Sequence, residues 1–250
     1  MPYLDLADGA RLYYADEGEG ALVLLVHGGT GTGDFDWERV RPALSRHFRV
    51  LTPDLRGHGR SSDPAWKIGV RSIGDDMTRL LESLGERPAA IIAFSFGASA
   101  MLALLCATPD LTDAFVGIGV SRYGDPSRVG PITAGPWPRG LVALQHEHGE
   151  GPDHWRRLRE HISASWVEDL MIEDEDLARV EIPVLLACGD QDPIEPVEVA
   201  LELVRALPAG ELLVLPGAGH FLARERPAEL LAVVENFLDR HLNDGEQPAE

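Results

Sequence analysis

Ser95 is the residue whose surroundings most clearly suggest covalent chemistry. It stands in the stretch IIAFSFGA (91–98), where an apolar run leads into a serine flanked two residues away by Ala93 and Gly97. A sharp turn from strand to helix needs small residues at those two positions, and it leaves the serine hydroxyl exposed as a nucleophile. The same pattern also suits a serine that caps a helix N-terminus, so this segment alone leaves both interpretations open.

A serine hydroxyl becomes nucleophilic when a base takes its proton and an acid holds that base in place. Candidates for both follow Ser95 along the chain, because His220 lies in the stretch GAGHF (217–221), and the earlier stretch CGDQDP (188–193) carries Asp190 and Asp192. Each stretch comes directly after a predicted strand. Loops beyond the carboxyl ends of parallel strands converge at one edge of a sheet, so these side chains are expected to meet there.

Acyl transfer also needs hydrogen-bond donors for the oxyanion that develops on the attacked carbonyl, and backbone amides serve this purpose well. One expected donor is the amide of Phe96, which follows the serine. The other lies in the glycine-rich turn after a buried strand, where Gly29 is the preferred residue and Thr30 the alternative.

The elements that must hold these residues alternate between short apolar runs and longer amphipathic stretches, which is typical of a parallel sheet with helices on both faces. Buried strands are predicted at residues 21–26, 49–52, 89–94, 114–120, 183–187 and 211–215. Residues 3–6 and 11–15 flank the Asp8-Gly9 pair, which favours a two-residue hairpin turn. Helices are predicted at residues 37–45, 73–84, 97–107, 196–206 and 228–242.

Residues 121–180 interrupt this alternation because they contain no strand pattern, so they are interpreted as an insertion. Trp155, Leu158, Ile162 and Trp166 fall on one helical face of it, and this face is expected to cover another surface. The predicted domain is therefore a core of residues 1–120 and 181–242 with a helical insertion at 121–180. The polar tail, residues 243–250, is expected to be disordered.

Composition limits the classes of function. The 250 residues, 44% of them hydrophobic, suit one globular domain with a substantial core. A net charge of −19 argues against nucleic acid or an anionic membrane as a partner. Two cysteines, no basic segment followed by an apolar stretch at the start and no apolar run long enough to span a membrane favour a cytoplasmic protein.

Five histidine and glutamate side chains invite a metal-binding interpretation, but their spacing matches no recognised ligand set, so no metal is expected. They are His146, Glu147, His148, His154 and His161.

Five motifs spread over nearly the whole chain resemble those of the α/β-hydrolase superfamily. They are HGG (27–29), DLRGHGRS (54–61), AFSFG (93–97), GDQD (189–192) and GH (219–220). Ala93 departs from this family's G-x-S-x-G pattern, although a methyl group is still small. The resemblance implies an α/β fold with a mostly parallel, doubly wound sheet of about eight strands and a small helical cap.

The resemblance also implies roles for particular residues. It favours Asp192 over Asp190 as the acid of a triad with Ser95 and His220. It also implies that the 54–61 loop is structural, and that His27 and His58 have structural and not catalytic roles. Five residues are expected to contact substrate, Arg122 through a substrate carboxylate and the others as walls beneath the cap. They are Phe94, Arg122, Trp155, Trp166 and Phe221.

The implied reaction is the cofactor-free hydrolysis of a small or medium carboxylic ester or lactone through an acyl-enzyme on Ser95. A serine at this position argues against the dehalogenases and epoxide hydrolases of the fold, which use an aspartate. Perhydrolase or haloperoxidase-like activity and carbon–carbon bond hydrolysis remain open. So does a receptor that keeps the triad and binds a small ligand with little turnover, because fold and triad alone do not fix the reaction.

Overall fold

The computed structural model describes residues 2–128 and 152–242, and its centre is one eight-stranded sheet. The strands are β1 (Tyr3–Asp5), β2 (Arg11–Glu17), β3 (Leu22–Val26), β4 (Arg49–Pro53), β5 (Ala90–Phe94), β6 (Ala114–Ile118), β7 (Val184–Gly189) and β8 (Gly210–Leu215). Their order across the sheet is β1-β2-β4-β3-β5-β6-β7-β8. The first two strands pair antiparallel and the remaining six run parallel, so the predicted mostly parallel α/β sheet is confirmed.

Helices cover both faces of this sheet. Within the described residues they are α1 (Gly33–Trp37), α2 (Arg41–Leu44), α3 (Val70–Leu84), α4 (Ser95–Ala107), α5 (Pro152–Asp169), α6 (Asp174–Leu177), α7 (Val197–Ala206), α8 (Leu222–Glu225) and α9 (Pro227–Leu242). Two separate clusters of buried apolar residues lie on opposite faces of the central strands. The parallel strands β3, β5, β6 and β7 are buried along their whole length, as expected for strands covered on both sides.

Two local predictions were wrong in detail. The single helix expected at 37–45 does not form: α1 ends at Trp37 and α2 begins at Arg41, because Pro42 has no amide proton to continue the hydrogen bonding of α1. The expected two-residue hairpin turn is a three-residue loop, in which Leu6 pairs with Ala10 and Gly9 adopts a positive φ of 87°.

The predicted insertion follows β6, and its two ends lie side by side. Tyr123 forms an isolated antiparallel bridge with Met171, and the amide of Ile172 donates to the carbonyl oxygen of Arg122 at 2.8 Å. We call these paired ends, residues 122–123 and 171–172, the neck of the insertion. Beyond the neck, the face of α5 that the sequence predicts to cover another surface is buried, and α5 contacts α3. Residues 129–151 and the predicted disordered tail, 243–250, lie outside the described residues.

Within the described ranges, none of the helices combines the length and the apolar character needed to span a bilayer.

Candidate active site

Ser95 lies at the turn where β5 ends and α4 begins. Its φ is 51°, a left-handed conformation that only one other described non-glycine residue, Trp66, adopts. Such strain is typical of functional positions and aims the side chain away from the sheet. Gly97 is required here for close packing, since a Cβ atom at this position would lie 2.2 Å from the carbonyl oxygen of His27. Ala93, by contrast, is accommodated fully buried between Val26 and Gly117 of the neighbouring strands.

Three side chains form one hydrogen-bonded line at the carboxyl edge of the sheet. The Nε2 atom of His220 lies 2.9 Å from Ser95 Oγ, and its Nδ1 atom lies 2.7 Å from Asp192 Oδ2. Ser95 does not cap α4, because its hydroxyl contacts His220 and the helix has no side-chain cap. The structure therefore brings together the serine, base and acid that the sequence places on three separate strand ends.

The two aspartates that follow β7 have different surroundings. Asp192 is buried, and its second oxygen, Oδ1, accepts hydrogen bonds from the amides of Ile194 at 2.8 Å and Glu195 at 3.0 Å. Asp190 is exposed and points to another loop, where its Oδ1 accepts from the amide of Gly217 at 2.6 Å. Only Asp192 is in a position to orient the imidazole of His220.

The charged and polar groups around His220 favour the cationic form of its ring, in which both nitrogens carry a proton. Burial acts to lower the pKa of His220, but the charge and hydrogen bond of Asp192, helped by Glu195 and Asp36, outweigh it and raise the pKa above its usual value. Surroundings of this kind stabilise the imidazolium that forms when a histidine takes a proton from a serine hydroxyl.

The glycine-rich turn after β3 lies next to Ser95. A Cβ atom on Gly29 would be 2.9 Å from the Cβ of Phe96, so the two residues predicted to donate to the oxyanion lie side by side in space. Asp36 holds this turn from α1, because its Oδ2 accepts from the amide of Gly28 at 2.9 Å. Burial raises the pKa of Asp36 to about 7, although the Gly28 hydrogen bond and two nearby cationic groups oppose the shift.

His27 and His58 are fully buried and pack edge to face against each other. The Nε2 atom of His27 accepts from the amide of Leu55 at 2.8 Å, and burial lowers the pKa of His27 to about 3. The ring nitrogens of His58 lie 2.8 Å from the carbonyl oxygen of Gly29 and 2.9 Å from that of Arg56. These contacts tie the glycine-rich turn to the 54–61 loop, as a structural role requires.

A small cavity opens above Ser95. The described residues that line it are mostly apolar: Gly29, Thr30, Phe94, Ser95, Phe96, Ile162, Trp166, Ile194, Glu195, His220 and Phe221. Three of the five side chains expected to contact substrate, Phe94, Trp166 and Phe221, are therefore placed in its wall.

The other two expected contacts are placed elsewhere. Trp155 is buried in the core and is absent from the described part of the cavity lining. The guanidinium of Arg122 points to the neck of the insertion, where its Nε donates to the carbonyl oxygen of Ile172 at 3.0 Å and Nη1 pairs with Asp174. Arg122 therefore belongs to the base of the insertion and not to the described pocket wall.

Sequence reasoning missed two buried acids near the triad, Asp36 and Glu195. Asp36 supports the glycine-rich turn, whereas Glu195 forms part of the cavity wall. Glu195 lies three residues after Asp192, but nothing in the pattern of the sequence distinguishes it from the exposed acids around it. Its burial follows from tertiary packing.

In the part of the chain that the structure describes, no group of three or more residues that could hold a metal ion occurs. His146, Glu147 and His148 lie outside the described residues. His154 contacts the carbonyl oxygen of Gly57 at 2.7 Å, and the ring of Trp66 packs against both His154 and His161.

An eight-stranded, mostly parallel sheet with a strained serine between β5 and α4 defines the α/β-hydrolase fold. The model of the alpha/beta hydrolase family matches residues 23–233, and the chain belongs to that family.

Individual relatives have several activities. The chain is 26% identical to a 2-hydroxy-6-oxo-2,4-heptadienoate hydrolase of Pseudomonas putida, over 93% of this chain and 94% of that protein. It is 27% identical to a 2-hydroxymuconate semialdehyde hydrolase of Pseudomonas putida, over 93% and 92%. Among solved structures, the enol-lactonase from Burkholderia xenovorans LB400 superimposes with a TM-score of 0.79 at 21% identity, over 95% of this chain and 99% of that one. These similarities support hydrolase activity and leave the bond that is cleaved open.

Proposed function

We propose that this protein is a serine hydrolase that cleaves small or medium carboxylic esters or lactones without a further carboxylate group, through an acyl-enzyme on Ser95. The observation that carries the proposal is the continuous hydrogen-bonded line from Ser95 through His220 to Asp192 beneath a mostly apolar cavity.

In the first half of the proposed reaction, His220 Nε2 takes the proton of Ser95 as the oxygen attacks the substrate carbonyl. The amides of Gly29 and Phe96 are the proposed donors to the resulting oxyanion. When the tetrahedral intermediate collapses, His220 returns the proton to the leaving alkoxide. In a lactone this alkoxide stays attached to the acyl group.

In the second half, His220 takes a proton from water, and the hydroxide attacks the acyl-enzyme. This attack gives a second tetrahedral intermediate. When it collapses, the ester bond to Ser95 breaks, and the serine oxygen recovers the proton from His220. Throughout both halves, Asp192 keeps the imidazole in the tautomer and orientation that present Nε2 to the serine.

The lining of the cavity argues against a substrate that carries a carboxylate. Six of its side chains are aromatic or aliphatic and surround the space above Ser95: Phe94, Phe96, Ile162, Trp166, Ile194 and Phe221. The described lining includes no lysine or arginine, and the nearby Arg128 is paired with Glu195 and Asp125. A substrate carboxylate would therefore meet no free cation in this part of the wall.

The first test is labelling with a fluorophosphonate, followed by mass spectrometry. The adduct is expected on Ser95, and Ser95→Ala should abolish both labelling and ester hydrolysis while the protein remains folded. Labelling that persists in Ser95→Ala would contradict the assignment. A screen of aryl esters, lactones and thioesters then identifies the preferred bond.

Carbon–carbon bond hydrolysis is a second candidate, favoured by the similarity to the two Pseudomonas putida hydrolases. The names of both relatives indicate substrates with a carboxylate, which the described wall does not match. Direct comparison of kcat/KM for a p-nitrophenyl ester and a 2-hydroxy-6-oxo-dienoate decides between the candidates. A large preference for the dienoate would replace our first proposal.

A further inference from the structure

Glu195 is the one carboxylic acid among the described residues that line the cavity. It is only 4% exposed, and the turn that fixes the catalytic acid also fixes its position, because its amide donates to Asp192 Oδ1. Its side chain has no part in the proton transfers described above. A buried acid beside a reaction centre therefore needs a different explanation.

Both carboxyl oxygens of Glu195 have partners on the β6 side of the cavity. Ser121 Oγ, which follows β6, contacts Oε1, and Nη1 of Arg128, in the short helix Pro126–Arg128, lies 3.3 Å from Oε2. Asp192 and His220 also act on it electrostatically from the catalytic loops. Arg128 compensates the charge only in part, since it is shared with Asp125 at 3.3 Å.

The state of this carboxyl changes near neutral pH. Burial raises the pKa of Glu195 to about 7, against the opposing effects of the Ser121 hydrogen bond, His220 and Arg128. The wall around it is mostly apolar, so a charge on Glu195 is poorly screened and acts strongly on any charge that a bound substrate carries.

We propose that Glu195 selects substrates by charge, rejecting acyl or leaving groups that carry a carboxylate and admitting neutral or cationic ones. This inference rests on the proposed hydrolase function, because it concerns what enters the same cavity. The charge of Asp192 affects His220 in the same way whichever substrate is bound, so this effect cancels when the kcat/KM values of two substrates are divided. The effect of a charge on Glu195 differs between charged and uncharged substrates, so it remains in the ratio.

The test uses three p-nitrophenyl butanoates whose terminal carbon carries a carboxylate, a trimethylammonium or an uncharged tert-butyl group. Thioacetates of thiols with the same three end groups place the charge on the other side of the scissile bond. For the carboxylate relative to the tert-butyl substrate, kcat/KM should fall about tenfold between about pH 6 and about pH 8, as Glu195 ionises.

Glu195→Gln keeps the shape of the side chain and removes its charge. At about pH 8, this variant should raise the carboxylate to tert-butyl ratio about tenfold, lower the trimethylammonium to tert-butyl ratio and abolish the pH dependence of both. The matched control is Glu198→Gln, an exposed residue on α7 that gives the same change in net charge. It should leave all ratios unchanged.

Failure of this inference and failure of the proposed function give different results. Binding of the same three acyl groups as primary amides to Ser95→Ala, with and without Glu195→Gln, measures charge selection by calorimetry without turnover. Equal binding of all three in both backgrounds, or substrate ratios that Glu195→Gln does not change, would overturn charge selection. Charge-selective binding without any ester or lactone turnover by the wild type would overturn the hydrolase proposal alone.

Discussion

The two sides of the cavity are built by different forces. On the sheet side, directional hydrogen bonds fix the proposed catalytic atoms, as in the line from Asp192 through His220 to Ser95. On the opposite side, α5 contributes Ile162 and Trp166, which are held by apolar packing. Hydrogen bonds specify atomic positions, whereas packing specifies volume and shape. The comparison predicts that variants of the first side change turnover and variants of the second change substrate binding.

The largest expected effect comes from breaking the hydrogen-bonded side at the acid. Asp192→Asn should lower kcat about a thousandfold or more, because the amide no longer holds His220 in the productive tautomer. Asp190→Asn is the matched control and should cost less than about tenfold, since among the described residues the side chain of Asp190 accepts a hydrogen bond from the Gly217 amide and does not contact His220. Steady-state kinetics on one ester compares the two variants, and equal losses would make our choice of acid wrong.

A smaller effect is expected where the two sides meet. A Cβ atom on Gly29 would lie 2.9 Å from both Ile162 Cγ2 and Phe96 Cβ. Gly29→Ala should therefore displace the oxyanion turn and lower kcat about thirtyfold. Because Ile162 lies on the packed side, adding Ile162→Ala should restore activity about threefold. A double-mutant cycle on kcat measures this coupling, and purely additive effects would show that the two sides are independent.

The buried acid in the wall should also affect stability, with a definite sign. The pKa of Glu195 is raised in the folded state, so its favourable contribution is present below its usual pKa and is lost as pH rises through about 7. Glu195→Gln should thus raise the free energy of unfolding by about 1 to 2 kcal/mol more at about pH 8 than at about pH 5. Urea denaturation at the two pH values, with Glu198→Gln as control, measures the difference. An effect independent of pH would contradict it.

The smallest expected effect concerns the packed side alone. Trp166→Phe should raise KM about threefold with little change in kcat, because it alters the shape of the pocket and not the catalytic atoms. Trp155→Phe is the matched control, since Trp155 is buried on the same helix but lies outside the described lining. A fall in kcat with unchanged KM for Trp166→Phe would remove the distinction between the two sides.

The sequence predicts the hydrogen-bonded sheet side of the cavity far better than the packed side formed by α5. Ser95 and His220 are recognisable because their signals are local: small residues around a turn, and a loop directly after an apolar strand. Asp192 needs the family resemblance, because Asp190 has the same local setting. The structure separates them by the loops that their carboxylates reach.

The wall of the cavity cannot be read in the same way. Helical periodicity correctly predicts that Trp155 and Trp166 are buried, but not which of them borders a cavity. Asp36 and Glu195 carry no local signal at all, since their burial depends on chain segments distant in sequence. The boundary between α1 and α2 has a local cause, the missing amide proton of Pro42.

The neck of the insertion has a consequence for how this protein can evolve. The bridge between Tyr123 and Met171, with the hydrogen bond from Ile172 to Arg122, joins the two ends of the inserted segment before it departs from the sheet. Changes in length beyond this closed junction need not alter the register of β6 with β7. Selection can therefore vary the inserted segment, which contributes Ile162 and Trp166 to the pocket wall, and with it the range of molecules accepted, while the residues at the strand ends stay in place.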